Sequence, residues 1–249
     1  MIDVAFLGAH VRPAATAVVI DVLRATSTIT LALASGYDRV IVAGGIDEAC
    51  ELRAEGRVLA GERDCERPPG FDLGNSPEDT LAPRGPELVI ATTNGAPAII
   101  GAVAACDEVF LACLLNLEAT IAALRERSGD ILVVAAGTNG AISLEDVYLA
   151  GRISAALEGK RTDAARIAEA VAAAYPDPID ALDASAGAIQ LHKVGLSADV
   201  TFCAQESITT VVPRVVRTAG DAAVVEPSAV QAVLPAADPA GIGVPGQNT

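Results

Sequence analysis

The segment Asp21-Val22-Leu23-Arg24-Ala25-Thr26-Ser27-Thr28 gathers a carboxylate, a guanidinium and three hydroxyls directly behind the apolar run Ala17-Val18-Val19-Ile20. Hydroxyls and the free N–H groups of a helix start suit an anion, and a carboxylate such as Asp21 suits a hard cation. The plainer alternative is that Thr26 or Ser27 caps a helix while Arg24 pairs with Asp21. Two further turns share the setting. Thr92-Thr93-Asn94-Gly95 follows Leu88-Val89-Ile90-Ala91, and Gly137-Thr138-Asn139-Gly140 follows the run Ile131 to Ala136. An Asn-Gly pair alone means a tight turn. Two Thr-Asn-Gly turns, each after a buried strand and before a helix, would offer a phosphate backbone donors and amide groups without adding charge.

Gly61-Glu62-Arg63 opens a long loop that runs through a Pro-rich stretch to Gly70-Phe71-Asp72-Leu73-Gly74-Asn75-Ser76-Pro77. Phe71 and Leu73 alternate with Asp72 and Asn75, so one side of this loop can pack while the other presents oxygen ligands. Glu145 and Asp146 open a later helix, where they either complement its dipole or hold a metal or its waters. His10 and His192 are solitary, with no spacing suited to zinc. Oxygen ligands without imidazole or thiolate favour Mg²⁺, and an arginine beside such an ion and several helix starts describes phosphoryl transfer. No G-x-x-x-x-G-K-[ST] is present, which disfavours a P-loop nucleotidase. Gly241 to Gly246 matches G-x-G-x-x-G formally, but only three residues follow, too few for the helix that this fingerprint needs.

These residues need a scaffold, and short Val/Ile/Leu runs alternating with helical patterns predict an α/β fold. The expected form is a mainly parallel sheet with helices on both faces, three layers in all. Strands are expected at Ala17–Asp21, Arg39–Ala43 and Arg57–Gly61, with helices at Thr26–Ser35 and Asp47–Ala54 between them. The same order returns at Leu88–Ala91, Ala96–Ala105, Glu108–Ala112, Leu117–Arg127 and Ile131–Ala135. Residues 17–63 and 88–135 therefore read as two similar β-α-β-α-β units. A helical C-terminal part follows, with helices at Ser143–Leu157, Arg161–Tyr175 and Asp180–Leu191, then a late strand at Thr209–Val216. One domain is expected over 1–233, with a mobile tail over 234–249.

Composition excludes several classes. Seventeen Lys and Arg against thirty-two Asp and Glu give a formal charge of -15, the wrong sign for a nucleic-acid backbone or an anionic membrane surface. With 51% hydrophobic and 20% charged residues, the chain can bury a large core. The apolar run Ile131–Ala136 is far short of the roughly 20 residues that a bilayer requires. Met1-Ile2-Asp3-Val4 lacks the pattern of a signal peptide, so the expected compartment is the cytosol. Five cysteines without a C-x-x-C pair are expected to be reduced, Cys106 and Cys113 as small core residues. A homo-oligomer is left open.

Taken in order, Asp21 to Ile29, Gly61 to Arg63, Gly70 to Pro77, Thr92 to Gly95, Ala136-Gly137 and Leu144 to Asp146 resemble the successive signature segments of the 2-phosphosulfolactate phosphatase family. The similarity extends through Gly195 to Val212-Pro213. The resemblance implies a Mg²⁺-dependent phosphatase that converts 2-phospho-3-sulfolactate to 3-sulfolactate, a step towards coenzyme M. On that reading Asp21, Arg24, Glu62 and Asn94 are the candidate catalytic residues. Thr26, Ser27, Arg63, Asn75, Ser76, Thr93, Gly95 and Gly137 are candidates for binding the small phosphorylated acid. Asp21, Asp72, Glu145 and Asp146 are the candidate Mg²⁺ ligands. The nucleophile is a metal-bound water or Asp21 itself; Leu23, where a phosphoaspartate enzyme would want an acid, favours water. The alternative is a non-catalytic small-anion binding protein. Its support is Ala96-Pro97, where the family commonly carries an arginine.

Overall fold

Continuous Val/Ile/Leu runs without polar alternation are the mark of strands buried on both faces, and the computed structural model, which describes residues 1–228, bears this out. The tail expected at 234–249, with its Gly241 to Gly246 segment, lies outside the described residues.

The chain runs β1 (Ile2–Ala5), β2 (Thr16–Ile20), α1 (Ala25–Ser35), β3 (Arg39–Val42), α2 (Ile46–Glu51), β4 (Arg57–Gly61), β5 (Glu87–Ala91), α3 (Gly95–Ala105), β6 (Glu108–Ala112), α4 (Leu117–Arg125) and β7 (Ile131–Ala135). Five helices follow: α5 (Leu144–Ala156), α6 (Asp163–Ala174), α7 (Pro178–Asp183), α8 (Ala186–Lys193) and α9 (Ser197–Cys203). A hairpin of β8 (Pro213–Ala219) and β9 (Ala222–Pro227) closes the described part. The single helix expected over Asp180–Leu191 is broken into α7 and α8, because Ser185 leaves helical geometry and its hydroxyl accepts from the Ala188 N–H as an N-cap. The late strand begins at Pro213 rather than Thr209 and is joined by β9, which together with β1 was not anticipated.

All strands form one mixed sheet in the order β1-β7-β2-β6-β8-β9-β3-β5-β4. Most pairs are parallel, as expected; the β6/β8, β8/β9 and β9/β3 pairs are antiparallel. The strands of residues 17–63 do not stay together. β2 lies between β6 and β7, and β5 lies between β3 and β4. Three antiparallel ladders separate the two parallel blocks, so along the sheet they run in opposite senses. The carboxyl ends of β2 and β5 nevertheless meet: a Cβ added at Gly95 would lie 2.5 Å from Ala25 Cβ.

β2 shows how the sheet is held. Val18 and Ile20 point into a core shared with Phe110, Leu124, Tyr148 and Ile153, while Ala17 and Val19 point into another shared with Ile29, Ile99 and Ala102. Each fully buried Val, Leu or Ile contributes about 1.5–3 kcal/mol relative to exposure, so β2 is pinned from both faces. All five cysteines are free; Cys113 and Cys203 are buried and Cys106 is half-buried. Among the described residues no helix is long and apolar enough to cross a membrane.

Candidate active site

A cavity of about 340 Å³ opens where the turns after β2, β5 and β7 converge. Asp21, Leu23 and Arg24 line it from the first turn, Thr93 and Asn94 from the second, and Thr138 and Asn139 from the third. Glu62, Asp64, Cys65 and Asn75 come from the long loop after β4, and Ala186, Gly187, Gln190 and Leu191 close it from α8.

The turn after β2 is folded by its own hydroxyls. Thr26 Oγ1 donates to the Asp21 carbonyl at 2.8 Å and accepts from the Asp21 N–H at 3.1 Å, and Ser27 Oγ donates to the Val22 carbonyl at 2.8 Å. Thr26 and Ser27 are fully buried and do not line the cavity. Their hydroxyls hold the turn rather than face the cavity, because a hydroxyl consumed by the backbone of its own turn has no donor left to offer.

Asp21 is buried at the end of β2. Its Oδ1 accepts from the Ala25 N–H at 3.1 Å, and among the described residues Oδ2 accepts no hydrogen bond. Burial, followed by the negative charges of Glu62 and Glu145, pushes the Asp21 carboxyl up to about 7, against the hydrogen bond from Ala25 and the Arg24 charge. A Cβ at Gly95 would stand 2.6 Å from Asp21 Oδ2. Gly95 thus makes room for the carboxylate rather than touching a ligand. Glu145 and Asp146 lie just beneath. Burial raises both carboxyls; for Asp146 the charges of Glu145 and Asp21 push the same way. Asp146 bridges two turns, with Oδ1 accepting from Val22 N–H at 2.9 Å and Oδ2 from Gly137 N–H at 3.1 Å. Among the described residues Glu145 Oε2 is buried without a hydrogen-bond partner.

Arg24 does not pair with Asp21. Its Nη1 donates to Asp199 Oδ2 at 2.6 Å, deep in the wall of the cavity, and its Nη2 donates to the Cys65 carbonyl at 3.4 Å. Glu62 acts as a clamp, Oε1 accepting from Thr93 N–H at 2.8 Å and Oε2 from Cys65 N–H at 3.0 Å. Each of its oxygens takes one N–H, so Glu62, which also lines the cavity, holds two loops together. Asn94 Oδ1 accepts from Asn139 N–H at 2.9 Å, which joins the second and third turns and leaves the Asn94 amide N–H₂ as a donor. Asn75 lines the cavity with a buried Oδ1 that has no hydrogen-bond partner among the described residues.

Four candidates fall elsewhere. Asp72 lies outside this cavity: its Oδ2 accepts from Leu59 N–H at 2.8 Å and sits 3.6 Å from Arg53 Nη1. Ser76 lines the neighbouring cavity and donates to Asp199 Oδ1. Arg63 lines another neighbour, beside Gly44 and Ile46. Gly137 holds φ +76°, a turn residue that donates to Asp146. Sequence reasoning missed Asp199, Cys65, Gly187 and Gln190. None belongs to a turn with a recognisable pattern: Cys65 comes from the long loop, Gly187 and Gln190 from α8 and Asp199 from α9.

Among the described residues no group of three or more His, Cys, Asp or Glu side chains is set to enclose a metal ion. Mg²⁺ rarely needs such a cage, since it keeps waters and uses one or two carboxylates plus substrate phosphate. The free Asp21 Oδ2 and the orphaned Glu145 Oε2 fit that smaller requirement, whereas Asp72 is remote and Asp146 already accepts two backbone N–H groups.

The family model for 2-phosphosulpholactate phosphatase matches residues 7–218, which include every turn around this cavity. The chain belongs to the 2-phosphosulpholactate phosphatase family. A Thermus thermophilus protein named probable 2-phosphosulfolactate phosphatase is 39% identical over 213 residues, covering 83% of this chain and 90% of its own. One of the same name from Pseudothermotoga lettingae is 40% identical over 215 residues, covering 86% and 95%. A 2-phosphosulfolactate phosphatase of Methanothermobacter thermautotrophicus is 39% identical over 199 residues, covering 79% and 84%. This phosphatase family is thus represented here nearly from end to end of the described residues.

Proposed function

We propose that this chain is a phosphoric monoester hydrolase that removes the phosphate of 2-phosphosulfolactate to leave 3-sulfolactate, with Mg²⁺ as cofactor. The observation that carries the reading is the convergence of Asp21, Arg24, Thr93 and Asn94, from turns far apart in sequence, on one cavity in a chain of this family. A role for the product on a route to coenzyme M follows from the same reading.

Asp21 and Glu145 would hold the ion, which would polarise the phosphate and lower the pKa of a bound water. The chain's own groups do the rest. Arg24 and the Asn94 amide donate to the phosphoryl oxygens, where charge accumulates in the transition state. The free Asp21 oxygen is the one that would hold the ion, so the attacking water gives up its proton to solvent. The water oxygen bonds to phosphorus as the ester P–O bond breaks, and the departing C2 oxygen collects a proton from solvent. The exchange of β2 and β5 between the two parallel blocks also supports reading residues 17–63 and 88–135 as copies of one unit in a single domain.

The test is release of inorganic phosphate from 2-phosphosulfolactate with Mg²⁺ and with EDTA. Mg²⁺-dependent release, lost in Asp21→Asn with the fold intact by circular dichroism, is the expected result. Tight binding of the substrate with no release would favour the small-anion binding protein instead.

A further inference from the structure

Asp199 belongs to none of the turns around the cavity. It stands on α9, 2% exposed, and both its oxygens are engaged: Oδ2 with Arg24 Nη1 and Oδ1 with Ser76 Oγ, each at 2.6 Å. Arg24 is itself only 4% exposed, yet lines the cavity. One carboxylate therefore ties together three distant parts of the chain, the turn after β2, the Gly70–Pro77 loop and the C-terminal helices.

Stability is a poor explanation for such a pair, because removing two charges from water costs about as much as their attraction returns. Geometry is a better one. A guanidinium carries five N–H donors in a rigid fork. Asp199 takes one and the Cys65 carbonyl accepts weakly from another, so the remaining edge has a fixed aim. An arginine held by nothing would have to be ordered by the substrate itself.

We propose that Asp199 is a positioning residue that fixes the Arg24 guanidinium against the phosphate and, through Ser76, sets the Gly70–Pro77 loop beside it. The C-terminal helices on this view complete the site. The inference rests on Arg24 being the phosphate-binding group of the proposed function.

A double-mutant cycle on the full chain tests it, with Asp199→Asn as the near-isosteric change and Ser76→Ala as a milder one that leaves the ion pair in place. Asp199→Asn is expected to lower kcat/KM on the order of 10–100-fold, and Ser76→Ala a few-fold. In an Arg24→Ala background neither should change kcat/KM more than about twofold, since the group they act through is gone. Guanidinium chloride at millimolar concentration should restore part of the Arg24→Ala activity when Asp199 is present and none when it is Asn. A merely structural role predicts the opposite: equal losses in both backgrounds and rescue indifferent to position 199. Normal kinetics in Asp199→Asn with impaired Arg24→Ala would overturn the positioning role alone. Full activity in Arg24→Ala would overturn the phosphate-binding role of Arg24 and this inference with it. Should the chain bind 2-phosphosulfolactate without hydrolysing it, the same cycle read as Kd by calorimetry decides the point.

Discussion

Asp21 is a costly residue in the folded chain. Its carboxyl holds a proton up to about pH 7 when buried but only to the ordinary range near 4 when unfolded. Between those values the folded state binds more protons, so stability is fullest on the acid side and falls as pH rises through 7. Glu145 and Asp146, also raised, add the same sign. Asp21→Asn should therefore be inactive but more stable, by about 1–3 kcal/mol at pH 8 in EDTA, with a smaller difference at pH 5. Urea melts at the two pH values check this, and a variant less stable at pH 8 would refute it. Gly95→Ala should act in the other direction: its Cβ collides with Asp21 Oδ2 and Ala25 Cβ. A loss of about 1–3 kcal/mol is expected together with a fall in kcat larger than the fall in stability explains, measured on the fraction that remains folded. Asp21, Arg24 and Asn94 were legible because polar groups at strand ends face the place where ligands bind. Thr26 and Ser27 turn out to lie behind the cavity wall, because a hydroxyl that braces its own turn and one that awaits an anion have the same sequence signature. Asp199 was invisible, since no local pattern announces a contact formed across most of the chain.

At the scale of elements, the β8–β9 hairpin bears more than a terminal hairpin usually does. It sits in mid-sheet, pairing Phe110 with Arg214 on one side and Val40–Val42 with Ala223–Val225 on the other. Val225 is fully buried at that junction. Val225→Ala should cost about 2 kcal/mol and lower the urea midpoint of near- and far-ultraviolet signals together, because both blocks lose their common partner; separate transitions would show that the blocks stand independently. The α/β class and nearly every strand and helix up to β7 could be read from hydrophobic period and turn residues. Which strand lies beside which could not. β2 pairs with strands made much later, and a period of two carries no address for the partner.

The whole molecule carries a formal charge of -15, and Asp21, Glu62 and Asp64 line the cavity with Arg24 as its single guanidinium among the described residues. A phosphorylated, sulfonated acid must approach against that field. Screening should help it, since the Debye length shrinks from about 30 Å at 0.01 M salt to about 8 Å at 0.15 M. We expect kcat/KM to rise several-fold between those salt concentrations at constant free Mg²⁺, and a steep fall would mean that local cationic attraction governs capture. Charge and length were plain from composition alone; the meeting of oppositely running blocks at one rim was not, because it depends on a strand order that no local pattern encodes.

The reciprocal placement of β2 and β5 has a consequence for synthesis. While the first sixty residues leave the ribosome, Thr16–Ile20 has neither neighbour it will finally lie against, for Glu108–Ala112 and Ile131–Ala135 are still to be translated. At about 5–20 residues per second, a sticky, doubly apolar strand waits several seconds for its place, and nascent chains halted before Ala135 should be the ones most prone to aggregate.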